Sequence, residues 1–343
     1  MRLRLALTAA LASVVFLCAC GQAPALCPSS ADGTCDVPRV CALGTDSADC
    51  DAWCADSDLP LLRAPCAHDE ASRLRQEELE GLDAVGSGGQ GGPVGTWDGV
   101  IEARGAASGS RVDRHYRVHV PSSYDPDNPS PMLFVLGGFQ VDLYFLPGYT
   151  ELDRSAGLSD VIVVYLQPEW RYFGNSIGWV FAWYVYDNAW SGGWDDNPDL
   201  DFMEQLAEHL GSLYNVDRSR TLVSGHSRGA ALSVIATLEL PDLFSGFCAQ
   251  AGFVAVNDYD LRMAELEGQQ PGAGYIIHGD MDPDVSVNQS DYLVDQLESL
   301  GWAEGEHFEY LRLEDVTHFW QPQYNEDFIE FLLSRPLGED LQQ

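Results

Sequence analysis

Lysine is absent from this sequence. All 18 basic residues are arginine, and 53 acidic residues oppose them for a formal net charge of −35. A chain so poor in positive charge gives phosphate groups no electrostatic footing, which argues against nucleic acid and anionic lipid surfaces as partners. Long apolar runs are missing after the first twenty residues, so no later segment is expected to span a bilayer. No CxxC pair occurs among the nine cysteines, and only His68 lies near them, which points away from zinc. Asp46, Asp49 and Asp51, in CALGTDSADCDAWC, read as solvated acidic turns rather than a calcium site, so no metal is expected. There is no internal repeat.

What remains is rich in core-forming material. The 343 residues are 45% hydrophobic, with 9 Trp, 14 Tyr and 14 Phe. That suffices for one core domain of roughly 200–250 residues with appendages. The first stretch, MRLRLALTAALASVVFLCAC, has a basic start at Arg2 and Arg4 and then a short apolar run. It reads as a signal segment over 1–19. Leu17-Cys18-Ala19-Cys20 resembles a bacterial lipobox, with Cys20 as the lipidated residue. The chain is thus expected outside the cytoplasm, tethered to the cell envelope by its N-terminus. Loss of Arg2 and Arg4 leaves 16 basic against 53 acidic residues, a net −37.

Cys27, Cys35, Cys41, Cys50, Cys54 and Cys66 crowd into residues 27–66. In an exported chain this density reads as three disulfides in a small module, 20–68, with about fifteen pairings open. Cys248 stands alone in an apolar run and reads as a buried free thiol. Residues 69–95 combine a charged run of helix formers, DEASRLRQEELEGLDA, with GSGGQGGPVG, a flexible linker by composition. From 96 to 340 the texture is that of a single domain. Residues 112–120 alternate like an antiparallel edge strand. The apolar runs 131–138, 161–168, 221–225 and 272–279 read as buried strands, and 308–315 as a last one. Helical spacing covers 200–214, 228–240, 289–302 and 325–335. Strands alternating with helices predict an α/β fold, a mostly parallel sheet covered on both faces, with function at the carboxyl ends of its strands.

Gly225-His226-Ser227-Arg228-Gly229 sits at the junction of a predicted strand and a predicted helix. G-x-S-x-G in that context is the signature of a nucleophile elbow. The turn is too sharp for side chains at the flanking positions, and glycine removes the collision. A serine needs a base, and the base needs an orienting carboxylate. Downstream come His278-Gly279-Asp280-Met281-Asp282-Pro283-Asp284, with three candidate acids, and then Thr317-His318-Phe319. Each follows a predicted strand, so the order serine, acid, histidine is met. His318 is the candidate base. His226 should point away from the serine, and His278 reads as a packed core histidine.

Here a resemblance becomes specific. Residues 112 to about 335, roughly two thirds of the chain, resemble the α/β-hydrolase family of secreted polyhydroxybutyrate depolymerase-like and feruloyl esterase-like serine esterases. YNVDRSRTLVSGHSRGAALS resembles that family's segment around the serine, and DNPDLDFMEQL and DLFSGFCAQAG its flanking helix and following strand. HGDMDPDVSV resembles its HGxxDxxVP loop, which selects Asp282 as the acid. THFWQP resembles its GHxWP loop and supports His318. The resemblance implies carboxylic ester hydrolysis by Ser227, Asp282 and His318 without cofactor or metal, on polymer-linked or aromatic esters such as polyester or polysaccharide esters, by a monomer. It also implies an oxyanion hole of backbone N–H groups, those of Arg228 and Phe139. The chain departs from the family at Leu136-Gly137-Gly138-Phe139, where His-Gly is usual, and at Arg228, where a small residue is usual. The Arg228 side chain would narrow the site or attract a carboxylate, or else form a surface ion pair.

The stretch 165–195 holds Trp170, Trp179, Trp183, Trp190 and Trp194 without a period. It reads either as an aromatic wall for substrate or as a loop packed on the sheet edge. A different reading of the whole chain is a catalytically weak binding protein on a hydrolase scaffold, holding polysaccharide or a surface partner.

Overall fold

The apolar runs read as strands do form a sheet, and their alternation divides its two faces. A computed structural model describes residues 84–105, 110–155, 160–185, 197–253 and 272–337. The chain divides into the units Met1–His68 and Asp69–Gln343, and every described residue belongs to the second. The signal segment, Cys20, the six clustered cysteines and the charged run before residue 84 lie outside the described residues.

The strands are β1 (Gly95–Arg104), β2 (Arg111–Val120), β3 (Ser130–Leu136), β4 (Ile162–Leu166), β5 (Trp170–Tyr172), β6 (Trp179–Phe181), β7 (Val216–His226), β8 (Gly246–Gln250), β9 (Ala273–Gly279) and β10 (Phe308–Leu313). The helices are α1 (Leu146–Thr150), α2 (Gly174–Ile177), α3 (Pro198–Leu213), α4 (Arg228–Glu239), α5 (Asn288–Ser299) and α6 (Asn325–Leu333). Eight strands form one sheet in the order β1-β2-β4-β3-β7-β8-β9-β10, while β5 and β6 pair apart as a hairpin. β2 is antiparallel to both neighbours, and from β4 to β10 the pairing is parallel. This is an α/β-hydrolase sheet.

Met132, Phe134 and Leu136 face one side of β3 and join Ile162, Val164 and Leu166 of β4 under α3, α4 and α5. Leu133 and Val135 face the other side and join Val163 and Tyr165 in the layer that holds α1 and α6. Each of these fully buried side chains contributes about 1.5–3 kcal/mol through desolvation. Burial on both faces is why the central strands are continuously apolar. Cys248 lies in β8 as a buried free thiol, and burial pushes its pKa up.

Helix α3 begins where Asn197 Oδ1 accepts the Asp199 N–H and Pro198 occupies the first turn. Asp199 is itself fully buried, held by Arg114 Nη2 at 2.6 Å and by the Tyr184 N–H at 2.6 Å. A buried carboxylate survives only with such partners.

Two expectations change. The glycine-rich stretch is not a free linker in its described part. The Ser87 N–H bonds Val216 O at 2.9 Å, and the Gly91 N–H bonds Leu213 O at 2.8 Å. A Cβ on Gly89 would stand 2.3 Å from Tyr214 O, so glycine serves close backbone approach there rather than flexibility. Strand β1, hidden in GTWDGVIEAR, adds an antiparallel edge next to β2.

Candidate active site

Ser227 follows β7 and occupies the N-cap position of α4 with φ 54° and ψ −116°. A non-glycine residue at positive φ is strained and needs surrounding structure to hold it. The hold is visible: the Ser227 N–H donates to Gln250 O at 2.9 Å, and Ser227 O accepts the Ala231 N–H at 3.1 Å. The flanking glycines make the turn sterically feasible. A Cβ on Gly225 would lie 2.2 Å from the Gly229 carbonyl carbon, and one on Gly229 would lie 2.3 Å from Leu136 O. Strand, helix and neighbouring loop meet here with no room for a methyl group.

The acid loop follows β9 and the histidine loop follows β10. Asp282 Oδ2 accepts from His318 Nδ1 at 2.6 Å. With Nδ1 engaged, His318 Nε2 is the nitrogen left for a reacting group. Asp282 Oδ1 accepts the N–H groups of Asp284 and Val285, each at 2.8 Å. Burial opposes ionisation of Asp282, but the Val285 N–H, His318 and the Asp284 N–H together hold its pKa below the ordinary carboxylate value. The other two aspartates play no such part. Asp280 Oδ1 accepts the Asp315 N–H at 2.9 Å, and Asp284 is exposed. Asp282, Asp284 and His318 bring potential ligand atoms within 4.8 Å of one another. Four hydrogen bonds already fill the two oxygens of Asp282, which makes this set a poor cradle for a cation.

The fourth of those bonds comes from His278. Its Nε2 lies 3.1 Å from Asp282 Oδ2 and 3.0 Å from Val285 O. Both are acceptors, so Nε2 carries the proton, and Nδ1 accepts from Ser290 Oγ at 2.7 Å. Burial lowers the His278 pKa and keeps the ring neutral. The packed core histidine of the sequence is therefore also a donor to Asp282.

His226 departs from expectation. It does not point away: its ring centroid is 4.7 Å from that of His318, and Tyr149 packs edge-on at 5.4 Å. Burial, and then the neighbouring His318, push its pKa down to about 3. The ring beside His318 is thus neutral.

Facing the elbow is the loop after β3. A Cβ on Gly138 would touch Ser227 Cβ at 3.3 Å, so the loop abuts the serine. Trp183 Nε1 donates to Gly137 O at 2.7 Å and fixes it. The Gln140 N–H goes to Phe181 O and the Val141 N–H to Gly138 O, whereas the Phe139 N–H has no partner among the described residues. Arg228 opens α4, where backbone N–H groups of the first turn project beyond the helix. Its side chain does not stand on the surface. It is buried, with Nε donating to Trp183 O at 2.8 Å and the guanidinium 5.4 Å from the Phe173 ring. Arg171 Nη1 donates to the same carbonyl at 2.8 Å.

The family model Esterase matches residues 109–328. The chain belongs to the esterase family. It is a carboxylic ester hydrolase of α/β-hydrolase fold. Among solved structures, a thermostable esterase is 21% identical over 70% of this chain and 63% of its own, with a TM-score of 0.51. The S-formylglutathione hydrolase from Agrobacterium tumefaciens is 18% identical over 75% of this chain and 100% of its own, with a TM-score of 0.52. Both likenesses speak for the fold. No curated protein matches the sequence.

The esterase carries its exposed large apolar side chains in one region of the fold. Among the described residues, Tyr144 and Phe145 follow β3, Trp170, Tyr172, Ile177 and Trp179 follow β4, Met281 follows β9 and Phe319 follows β10. Only Val94 and Val100 lie elsewhere. The tryptophan-rich stretch divides accordingly. Trp183 is fully buried and structural, while Trp170 and Trp179 stand on the β5–β6 hairpin at 51% and 59% exposure. There Trp170 packs on Phe181 at 4.5 Å and Tyr172 on Trp179 at 5.6 Å. Trp190 and Trp194 lie outside the described residues.

Proposed function

We propose that this esterase hydrolyses its substrates through Ser227 as nucleophile, His318 as general base and Asp282 as the group that orients His318. The observation that carries the proposal is the 2.6 Å bond from His318 Nδ1 to Asp282 Oδ2, made one histidine ring away from the strained elbow. His318 Nε2 takes the Ser227 Oγ proton as Oγ attacks the ester carbonyl carbon. The oxyanion accepts from the N–H groups of Arg228 and Phe139. As the tetrahedral intermediate collapses, the imidazolium returns its proton to the leaving alcohol. Water, deprotonated by His318, then attacks the acyl-enzyme and releases the acid. Asp282 stays ionised throughout and stabilises the imidazolium, which its depressed pKa favours.

The substrates we propose are bulky aromatic or polymer-linked esters, of the feruloyl, acetylated-polysaccharide or polyhydroxyalkanoate type. The support is the concentration of exposed aromatic side chains on the loops that follow β3, β4 and β10. Large exposed apolar surface on an otherwise acidic protein marks a contact site. The site of action we propose is outside the cytoplasm, with attachment through Cys20, on the strength of the N-terminal sequence. Ser227→Ala should lower turnover of a p-nitrophenyl ester by about 10⁴–10⁶-fold. A fluorophosphonate probe should label Ser227 in the native protein. Near-normal turnover in the alanine variant would sink the assignment.

A further inference from the structure

We infer that Tyr149 and Gln250 are positioning residues that fasten the histidine loop to the nucleophile elbow, an inference resting on the roles proposed for Ser227 and His318. The loop after β10 must hold an imidazole to a fraction of an ångström, yet residues 314–321 make no strand and no helix. Its entry is tied to the acid loop, where Val316 O accepts the Met281 N–H at 3.0 Å. Its exit is tied differently. Two successive amides beyond His318 are captured by side chains from remote parts of the fold. The Trp320 N–H donates to the Tyr149 hydroxyl at 2.8 Å, and the Gln321 N–H donates to Gln250 Oε1 at 2.8 Å.

Each captor also reaches the elbow. The backbone carbonyl of Gln250 accepts the Ser227 N–H at 2.9 Å. One residue thus holds the nucleophile's own amide with its main chain and the base's loop with its side chain. Gln250 is buried at the carboxyl end of β8, next to β7, so the parallel sheet sets its position. Tyr149 does the equivalent from α1. Its oxygen accepts from Trp320, which leaves its own proton to give, and His226 Nε2 lies 3.4 Å away. A neutral His226 presents a lone pair to that proton. His226 in turn precedes Ser227 in the chain and lies against His318. The two clamps converge from opposite sides of the chain: one from the helix after β3, one from the strand after α4. Together they make the serine–histidine spacing depend on hydroxyl and amide contacts that no elbow or triad motif includes.

Misplacing a catalytic group by about 1 Å costs on the order of 100-fold in rate. Tyr149→Phe keeps the ring and removes both hydroxyl contacts. Gln250→Met keeps length and volume and removes the acceptor, while its main-chain bond to Ser227 remains. With p-nitrophenyl acetate, each variant should lose about 10–100-fold in kcat, with KM moving less than about twofold. Gln250→Glu, which keeps an acceptor oxygen, should recover most of that loss. Melting temperature and circular dichroism report folding, and if one variant fails to fold the other decides. A kcat within twofold of the native enzyme in a folded variant overturns the inference, and so does a change confined to KM, which would make Tyr149 a substrate contact. Ser227→Ala is measured alongside. If that variant stays active, the assignment of the serine fails, a result distinct from intact Tyr149 and Gln250 variants beside an inactive Ser227→Ala.

Discussion

Replacing Asp282 with asparagine tests the acid assignment, and its effect follows from the hydrogen bonds around that carboxylate. Asp282 takes four donors: the Asp284 and Val285 amides on Oδ1, and His318 and His278 on Oδ2. An amide supplies one oxygen. If that oxygen stays on the two backbone N–H groups, the new NH₂ faces two imidazole N–H donors. His318 must then shift its proton from Nδ1 to Nε2 to find an acceptor on the other side. Nε2 is the nitrogen that has to accept the serine proton, so the variant carries the wrong tautomer. The expected loss in kcat is about 10⁴-fold, or about 5 kcal/mol of transition-state stabilisation. Buried His278 also loses an acceptor, which costs about 1–3 kcal/mol in stability at neutral pH.

The pH dependence of that stability has a definite sign. The folded Asp282 pKa is depressed, so its contribution is present above the unfolded value of 3.8 and disappears as pH falls through the folded one. The gap in melting temperature between native and Asp282→Asn enzyme should therefore close only below about pH 4. Initial rates with a p-nitrophenyl ester, next to Asp280→Asn and Asp284→Asn, complete the test. Those two controls should stay within about threefold, because neither side chain bonds His318. A loss confined to either control, or more than a tenth of native activity in Asp282→Asn, would refute the reasoning.

Two further outcomes follow from buried groups near the site. Trp183→Phe removes the indole N–H that fixes Gly137 O, so kcat should fall about tenfold and stability by about 1–3 kcal/mol, read from ester turnover and denaturant unfolding. Unchanged turnover would detach that bond from the chemistry. His226 has a folded pKa of about 3 against 6.5 when unfolded, so below pH 6.5 the unfolded chain binds a proton that the native ring refuses. Stability should drop from pH 6.5 toward pH 4, and His226→Gln should flatten the curve in thermal melts; parallel curves would contradict it.

The sequence carried the parts of this molecule that depend on local rules. Continuous apolar runs marked β3, β4, β7 and β9, because burial on both faces leaves no room for alternation. The two glycines around Ser227 marked the elbow, because the crowding there admits nothing larger. Asp282 came from a resemblance, since three aspartates in seven residues look alike in sequence, and only the fold brings one of them, Asp282, to His318. What was not legible depends on contacts distant in sequence. Strand β1 is polar and half-exposed along most of its length, and only pairing with β2 makes it a strand. The glycines near residue 89 look flexible until Tyr214 is placed against them. The sequence predicts that His226 turns away, because nothing in G-x-S-x-G says that Tyr149 and His318 come to stand beside it. Tyr149 and Gln250 themselves carry no motif; the signal that would have found them is only an aromatic and an amide near strand ends.

The arginines have a consequence beyond the scaffolding they provide. Arg114, Arg171, Arg220 and Arg228 are all buried, bonded to carbonyls and carboxylates inside the domain. With no lysine to replace them, the solvent-facing shell is left overwhelmingly anionic. Ester hydrolysis turns a neutral molecule into a carboxylate at neutral pH. An uncharged substrate approaches such a shell without penalty, while the acid released is repelled as soon as it ionises. The charge balance thus biases the traffic of the reaction, ester inward and acid outward, and added salt should weaken that bias.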